Sequence, residues 1–456
     1  TADYRRYEVY LEKADFEKYY HTIPTAIREA IEQQWGHPYD DPYFIDDRFG
    51  LAGFVVGNVM VSIQPSRGYH IDPQSTYHSP DLPPPWYYLA YYYWVQSHFG
   101  ADALIHLGKH GNLEWLPGKS VALDLESCFP AHIFQALPHF YPFIVNDPGE
   151  GTQAKRRNQA VIIDHLIPPM TRAETYGDLL ELENLIDEYY QAASLDPKRT
   201  KLLKQQIVDL TKKAQLTLDL GLETNDIDAL LVGLDGYLCE IKEAQIRDGL
   251  HILGQAPDNE QLIDLLVALH RIPQAGQQGI TQALAQDFKL TIDPVHTDYA
   301  ILVNQEALPF DEAIWQTCWE KLHLTPPQYL NNTGDVVAFL EQIVKAYLTQ
   351  KLQHSLEVPE GIWPRFEQVM RQIETDTLPK VQTTQQELGN LLLGLSGQYV
   401  PSGPSGAPTR GRLDILPTGR NFYSVDIRTV PTEAAYTLGQ KSAQLLIERY
   451  MQENGD

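Results

Sequence analysis

Two short apolar runs, each breaking into a polar loop, most constrain what this chain can fold into. Ala103-Leu-Ile105 and Phe140-Tyr-Pro-Phe-Ile-Val145 have the length of buried strands and are too short for buried helices. Gly108 and Gly111 turn the first run into a loop. The second ends in Asn146-Asp147-Pro148, where Asn and Asp suit a helix cap and Pro suits the first turn, predicting a helix over 151–165. Strand, polar loop and helix, repeated, define an α/β unit whose crevice lies at the carboxyl ends of its strands. His106 to Lys119 and Asn146 to Arg157 would then face one crevice.

The first loop carries the densest chemistry. His106, His110, Glu114 and Lys119 fall within fourteen residues, enough to bind a metal, move a proton and hold an anion. The two histidines have the spacing of a zincin helix, but Leu107 stands where that motif needs glutamate, and two glycines oppose a continuous helix. Pro117-Gly118-Lys119-Ser120 imitates the end of a phosphate-binding P-loop. Leu113 occupies the place of its first glycine, however, and Val121-Ala-Leu-Asp-Leu125 reads as strand where a helix is required. Taken singly, each histidine reads better as a loop residue satisfied by backbone groups, but their cluster with Glu114 and two glycines favours a functional role.

The rest of the chain reads more plainly. A formal net charge of -25 opposes nucleic-acid and anionic-membrane partners, which need a basic face. Cys128, Cys239 and Cys318 are widely spaced, so neither a disulfide framework nor a thiolate zinc site is expected, and a reducing, cytoplasmic compartment fits. No charged-then-apolar leader opens the sequence, and the aromatic run Trp86 to Val95 is far short of the about 20 residues of a membrane span. It reads as a helix wedged under a sheet, its tyrosine hydroxyls reaching polar partners.

Phe16 to Trp35 predicts one helix and Phe54 to Ile63 a strand or hairpin; Arg67 and His70 lie in a loop, either at a cleft mouth or simply at the surface. Helical periodicity fills Thr171 to Leu253, with Lys201 to Leu218 and Asp226 to His251 as separate helices, and returns at Glu260–His270 and Phe339–Lys351. Pro401 to Gly411 is rich in glycine, proline and serine, and with Arg410, Arg412 and Arg420 forms a basic, pliable loop. The expected organisation is an α/β domain over 1–170, a mostly helical region over 171–395, and a Gly/Pro/Arg loop with a final helix over 396–456.

Several blocks resemble a known family. His106-Leu-Gly-Lys-His110-Gly-Asn-Leu-Glu114-Trp-Leu-Pro-Gly-Lys119, Tyr141 to Arg157, Gly249-Leu-His251 and Ser396 to Asp426 resemble the large subunit of aerobic cobaltochelatase, in the family it shares with the magnesium chelatase large subunit. Family members are much longer, so this sequence is expected to be an internal piece or a shortened form.

The resemblance implies a macrocycle-binding catalytic subunit, driven by separate AAA+ ATPase subunits that use ATP and Mg²⁺. It would insert Co²⁺, as substrate, into a hydrogenobyrinate a,c-diamide-type corrin in cobalamin biosynthesis. His106 and His110 would be transient metal ligands or proton carriers, and Glu114 a metal ligand or the base for the pyrrolic protons. Lys119, Asn146, Glu150, Lys155, Arg156, Arg157, His251, Arg410, Arg412 and Arg420 would hold the substrate, the cations through its carboxylates. Two further readings stand beside this one: magnesium insertion into protoporphyrin IX, and a tetrapyrrole-binding module without catalysis. Trp115-Leu116, Asp147-Pro-Gly-Glu150 and the imidazoles, which suit Co²⁺ better than Mg²⁺, favour cobalt.

Overall fold

A computed structural model describes residues 7–69, 79–108, 111–168, 197–213, 250–274, 276–297, 320–324, 333–354, 363–424 and 433–455, with scattered positions between 179 and 234 and at 316 and 318. In the first layer, β1 (Val9–Glu12), β2 (Phe44–Ile45) and β3 (Arg48–Leu51) form an antiparallel sheet in the order β1-β3-β2. The single helix expected over Phe16 to Trp35 is two, Lys13–Tyr20 and Thr25–Trp35. Pro24 stands between them; it lacks the N–H that a continuous helix would use.

The run expected as a strand or hairpin is a hairpin, β4 (Gly53–Val56) against β5 (Val59–Ser62), turned by Gly57-Asn58. Gly57 takes a φ of +59°, which suits a two-residue turn.

The tyrosine-rich helix Trp86–Tyr93 is buried along almost its whole length, as an element apolar on every side must be. Its rings pack with Phe16, Phe49 and Ile133 in the N-terminal core. Its hydroxyls are where polar partners wait. The Tyr88 hydroxyl donates to Asn112 Oδ1 at 2.7 Å, Tyr91 pairs with Ser62, and the Tyr92 hydroxyl accepts from Gln64 Nε2 at 3.0 Å.

A parallel sheet forms the centre: β6 (Leu104–Ile105), β7 (His139–Ile144) and β8 (Val161–His165), in that order. Register places Leu104 opposite His139 and Phe140 opposite Val161. The helix expected over 151–165 instead runs Pro148–Asn158 and stops at Gln159, which adopts a left-handed conformation. Val161-Ile-Ile163, β-branched, then continues as strand. Asp147 holds the N-cap position without a side-chain capping bond, contrary to expectation. Val121 to Leu125 is not a strand either: Asp124 Oδ1 accepts from the N–H groups of Glu126 (3.0 Å) and Ser127 (2.7 Å), and that local turn displaces extended pairing.

Helices Asn259–His270, Ile280–Asp287, Thr333–His354 and Pro364–Gln372 build a second core around Leu284, Leu340, Ile343 and Phe366. Between 171 and 253 the longest described helix is Pro197–Lys213; the predicted helix ending at His251 lies mostly outside the described residues, and Leu250 to Gly254 is not helical. Among the described residues no helix is long and apolar enough to cross a membrane.

The glycine- and proline-rich segment returns to the sheet. β9 (Ser402–Pro404) and β10 (Asn421–Tyr423) pair in parallel, and Leu413, Ile415, Leu416 and Phe422 share a core with Tyr141, Phe143 and Ile162. The edge of β8 is answered by this segment: Asp164 N–H donates to Arg420 O at 3.0 Å, Gly419 N–H to Asp164 O at 2.8 Å, and Arg420 N–H to Asp164 Oδ1 at 2.7 Å. Gly419 has a φ of +91°, and a Cβ there would lie 2.8 Å from the backbone of Gln386.

Burial lifts the Asp164 carboxyl to about 7, against the pull of the Arg420 N–H and guanidinium. A carboxyl raised in the fold adds stability that is full below its unfolded value of about 3.9 and is lost as pH rises through its folded value. Thermal melts of the parent chain should therefore drop between pH 5 and pH 8 more steeply than those of Asp164→Asn, which keeps the acceptor oxygen without the ionisation. Parallel pH slopes for the two proteins would refute this origin.

Candidate functional site

An open cleft of about 610 Å³ lies where β6 ends. Val59 and Val61 of the hairpin wall one side, Val95 and Phe99 another, and Ile105 and Leu107 the lip. Those hairpin valines and Leu107 are exposed, so the cleft presents apolar surface to solvent. Its polar lining includes Gln64, His106 and Tyr141.

His106 is delivered there by β6, its backbone N–H donating to Phe140 O at 2.9 Å. Its ring is held from both ends. Nδ1 lies 3.0 Å from His139 Nε2, and Nε2 lies 3.2 Å from the Tyr92 hydroxyl, which Gln64 also holds. Burial, and then the neighbouring His139, pushes the His106 imidazole well below its usual range; burial brings His139 to about 4. Both rings are therefore neutral at physiological pH, the form that accepts a proton or ligates a metal.

Glu114 lies behind Gly111 in the cleft wall. A Cβ on Gly111 would stand 2.7 Å from Glu114 Oε1 and 2.9 Å from the Tyr141 hydroxyl oxygen, so any larger residue there would have to displace the carboxylate or the phenol. Glu114 is fully buried within the short 3₁₀ turn Leu113–Trp115. Helix Pro148–Asn158 clamps that turn. Gly111 N–H donates to Glu150 Oε1 at 3.0 Å, and Arg157 Nη1 donates to Glu114 O at 2.7 Å. The Asn158 amide, oriented to satisfy both neighbours, accepts from Glu114 N–H at 3.0 Å and donates to Arg157 O at 3.1 Å. The two stretches expected to share a crevice do meet, but largely through bonds to each other.

Other residues singled out in the sequence are engaged elsewhere. His110 lies outside the described residues, and among those described no three His, Cys, Asp or Glu side chains form a group able to hold a metal. Lys119 is exposed and pairs with Asp124 at 2.6 Å; Lys155 donates to Asn421; Arg156 donates to Gln153 at 2.5 Å. Arg412 forks onto Asp414 at 2.8 and 2.9 Å, Arg420 donates to Ile415 O at 2.5 Å, and Arg410 ends the 3₁₀ turn Pro408–Arg410. Asn146 is half-buried just past the carboxyl end of β7. Arg67 is neither at the cleft mouth nor at the surface. It is buried and donates to the carbonyls of Ser79 (2.5 Å) and Leu82 (2.9 Å), while His70 lies outside the described residues.

His251 belongs to a buried knot around Glu387. His251 Nε2 (2.7 Å) and Gly254 N–H (2.8 Å) meet one carboxylate oxygen; Leu166 N–H (2.9 Å) and the Thr418 hydroxyl (2.7 Å) donate to the other. The His165 ring stacks on His251 at 5.2 Å. Sequence reasoning missed Gln64, Tyr92, His139 and Glu387. His139 alone left a local trace, as the polar residue opening an apolar strand; the others become visible only when distant segments meet.

A small parallel sheet thus delivers an imidazole to an apolar cleft, with a buried carboxylate behind Gly111 in its wall. The chain belongs to the CobN/Magnesium Chelatase family, which it matches over residues 2–456. It is 48% identical to the aerobic cobaltochelatase subunit CobN of a Sinorhizobium species, over 97% of this chain and 35% of that protein. It is 46% identical to the CobN subunit of Pseudomonas aeruginosa, over 95% of this chain and 34% of the relative. The solved catalytic subunit of cobaltochelatase from Mycobacterium tuberculosis superposes with a TM-score of 0.60 at 37% identity, covering 98% of this chain and 37% of that one. The chain thus spans about a third of the length of these relatives.

The knot around Glu387 generates a stability expectation. Glu387→Ala strands His251, Thr418 and two backbone N–H groups in the interior, and should cost roughly 3–5 kcal/mol in urea unfolding. A loss within 0.5 kcal/mol, about the scatter of ordinary surface substitutions, would mean that water replaces the carboxylate.

Proposed function

We propose that this chain is the part of a cobaltochelatase that holds the tetrapyrrole and removes its pyrrolic protons while Co²⁺ enters. The observation that carries the reading is the Glu114 carboxylate set directly behind Gly111 at an apolar cleft. A flat macrocycle suits apolar walls, and its pyrrolic N–H groups need a base close by but shielded from water. Glu114 is that base, and neutral His106 either receives the proton or steadies the entering metal. The energy to bend the ring comes from partner AAA+ subunits that hydrolyse ATP with Mg²⁺, and the acceptor is a corrin bearing several carboxylates. Lys119, Arg410 and Arg412 reach those carboxylates by exchanging their present protein partners; His110, Asn146, Glu150 and Lys155 complete the surroundings. Cobalt is favoured over magnesium by the 46–48% identity to cobaltochelatase subunits together with imidazole in the cleft lining.

A base acts on the barrier and need not add ground-state affinity, so Glu114→Gln should retain tetrapyrrole binding yet lose insertion by about 10²–10⁴-fold in a reconstituted complex with full-length flanks and partner subunits. Tryptophan-fluorescence quenching by the tetrapyrrole and spectroscopic turnover measure the two separately. Insertion at the parental rate would make Glu114 structural. The isolated chain should show negligible ATP hydrolysis, because it contains no complete P-loop.

A further inference from the structure

A second cavity, of about 320 Å³, lies on the far side of the clamp that holds Glu114. Its lining shares no residue with that of the cleft. Arg156, Arg157 and Asn158, from the last turn of helix Pro148–Asn158, face Leu123, Pro130 and Phe134 across it. No carboxylate lines it.

The chemistry of this cavity is unbalanced. Arg157 is 8% exposed, and while its Nη1 is bonded to Glu114 O, its Nε and Nη2 are buried without a hydrogen-bond partner. Arg156 Nε is in the same condition. A guanidinium keeps its charge in a folded protein, so unanswered N–H groups on two adjacent guanidiniums leave both a desolvation cost and a surplus of positive charge. Burial depresses Arg157, and Arg156 adds to that depression, against the opposing pull of Cys128 and Glu114.

The rim carries a further mark. Ala122, Gln135 and Gln159 all line the cavity with positive φ, at +50°, +53° and +54°, a conformation costly for residues other than glycine. Three separate segments thus accept strain around one polar space.

We propose that this cavity is a binding site for a small oxyanion, carboxylate or phosphate, gripped by the Arg156 and Arg157 guanidiniums. Planar forks of N–H donors match such oxygens in pairs. Arg157 would then be shared, its Nη1 on the Glu114 carbonyl and its remaining donors on the anion, so that occupancy steadies the turn that sets Glu114 behind the cleft. The site stands independently of the chelatase reading, since it concerns binding alone. The same oxyanion chemistry could come from a free anion or from a side-chain carboxylate of a tetrapyrrole.

Isothermal titration of the full chain with inorganic phosphate and with propionate, at ionic strength held constant with chloride, tests the proposal. Saturable binding of at least one anion is expected, weakened at least about tenfold in Arg156→Gln and in Arg157→Lys, with circular dichroism unchanged. Should Arg157→Lys fail to fold, Arg156→Gln decides the matter, because its side chain is only half-buried. Repeating the titration with saturating protoporphyrin IX separates the sources: displacement of the anion assigns the site to a macrocycle carboxylate, simultaneous binding to a free anion. No saturable binding by either anion, or affinities unchanged in both variants, would overturn the site, whatever the outcome of the insertion assays.

Discussion

A carboxylate taken out of water must be answered by donors, and in this protein the answering donors are backbone N–H groups from distant segments. Asp41 accepts from Tyr87 N–H at 2.9 Å, Glu150 from Gly111 N–H at 3.0 Å, Asp164 from Arg420 N–H at 2.7 Å, and Glu387 from Leu166 N–H at 2.9 Å. Each bond joins segments far apart in the sequence. The first seats the tyrosine-rich helix on the N-terminal layer; the second seats the Glu114 turn on its helix; the third and fourth close the central sheet. Hydrophobic burial drives the collapse of the separate cores, but these four carboxylates settle how loops lie between them.

The same logic explains which parts of the site could be read from the sequence. The loop from His106 to Glu114 and the helix bearing Glu150 and Arg157 were legible because strand, glycine break and helix start are local signals. The third strand was not: Val161-Ile-Ile163 follows a helical stretch without a break stronger than Asn158-Gln159, and a short apolar run does not declare its period. The ring contacts of His106 were hidden for a different reason. They depend on the register that sets Leu104 opposite His139 and on Tyr92 reaching across from another element, and no local pattern records either. Cations were easy to count and hard to place, since Arg67, Arg157 and Arg420 each turn inward to give a donor to main-chain carbonyls.

The cleft combines two demands that usually conflict. Under the proposed function the Glu114 carboxylate needs a dry setting that substrate can still approach, and any intervening side chain would keep the two apart. Gly111 resolves this with the smallest possible partition, while Glu150 and Arg157 hold the main chain on either side so that the partition stays in place. Rigidity is supplied by the helix behind and adaptability by the exposed hairpin in front, whose valines meet solvent on the cleft side.

Closing β8 with residues 419–421 also sets an order of assembly. Asp164 and Arg420 are separated by 256 positions, so a chain emerging from the ribosome carries β6, β7 and β8 long before their last partner exists. Until it arrives, the open edge of a short, β-branched strand is a template for pairing with other chains, and closing so long a loop is slow. The three-stranded centre is thus finished late, and the nascent protein must keep that edge covered or dilute until residues 419–421 have been made.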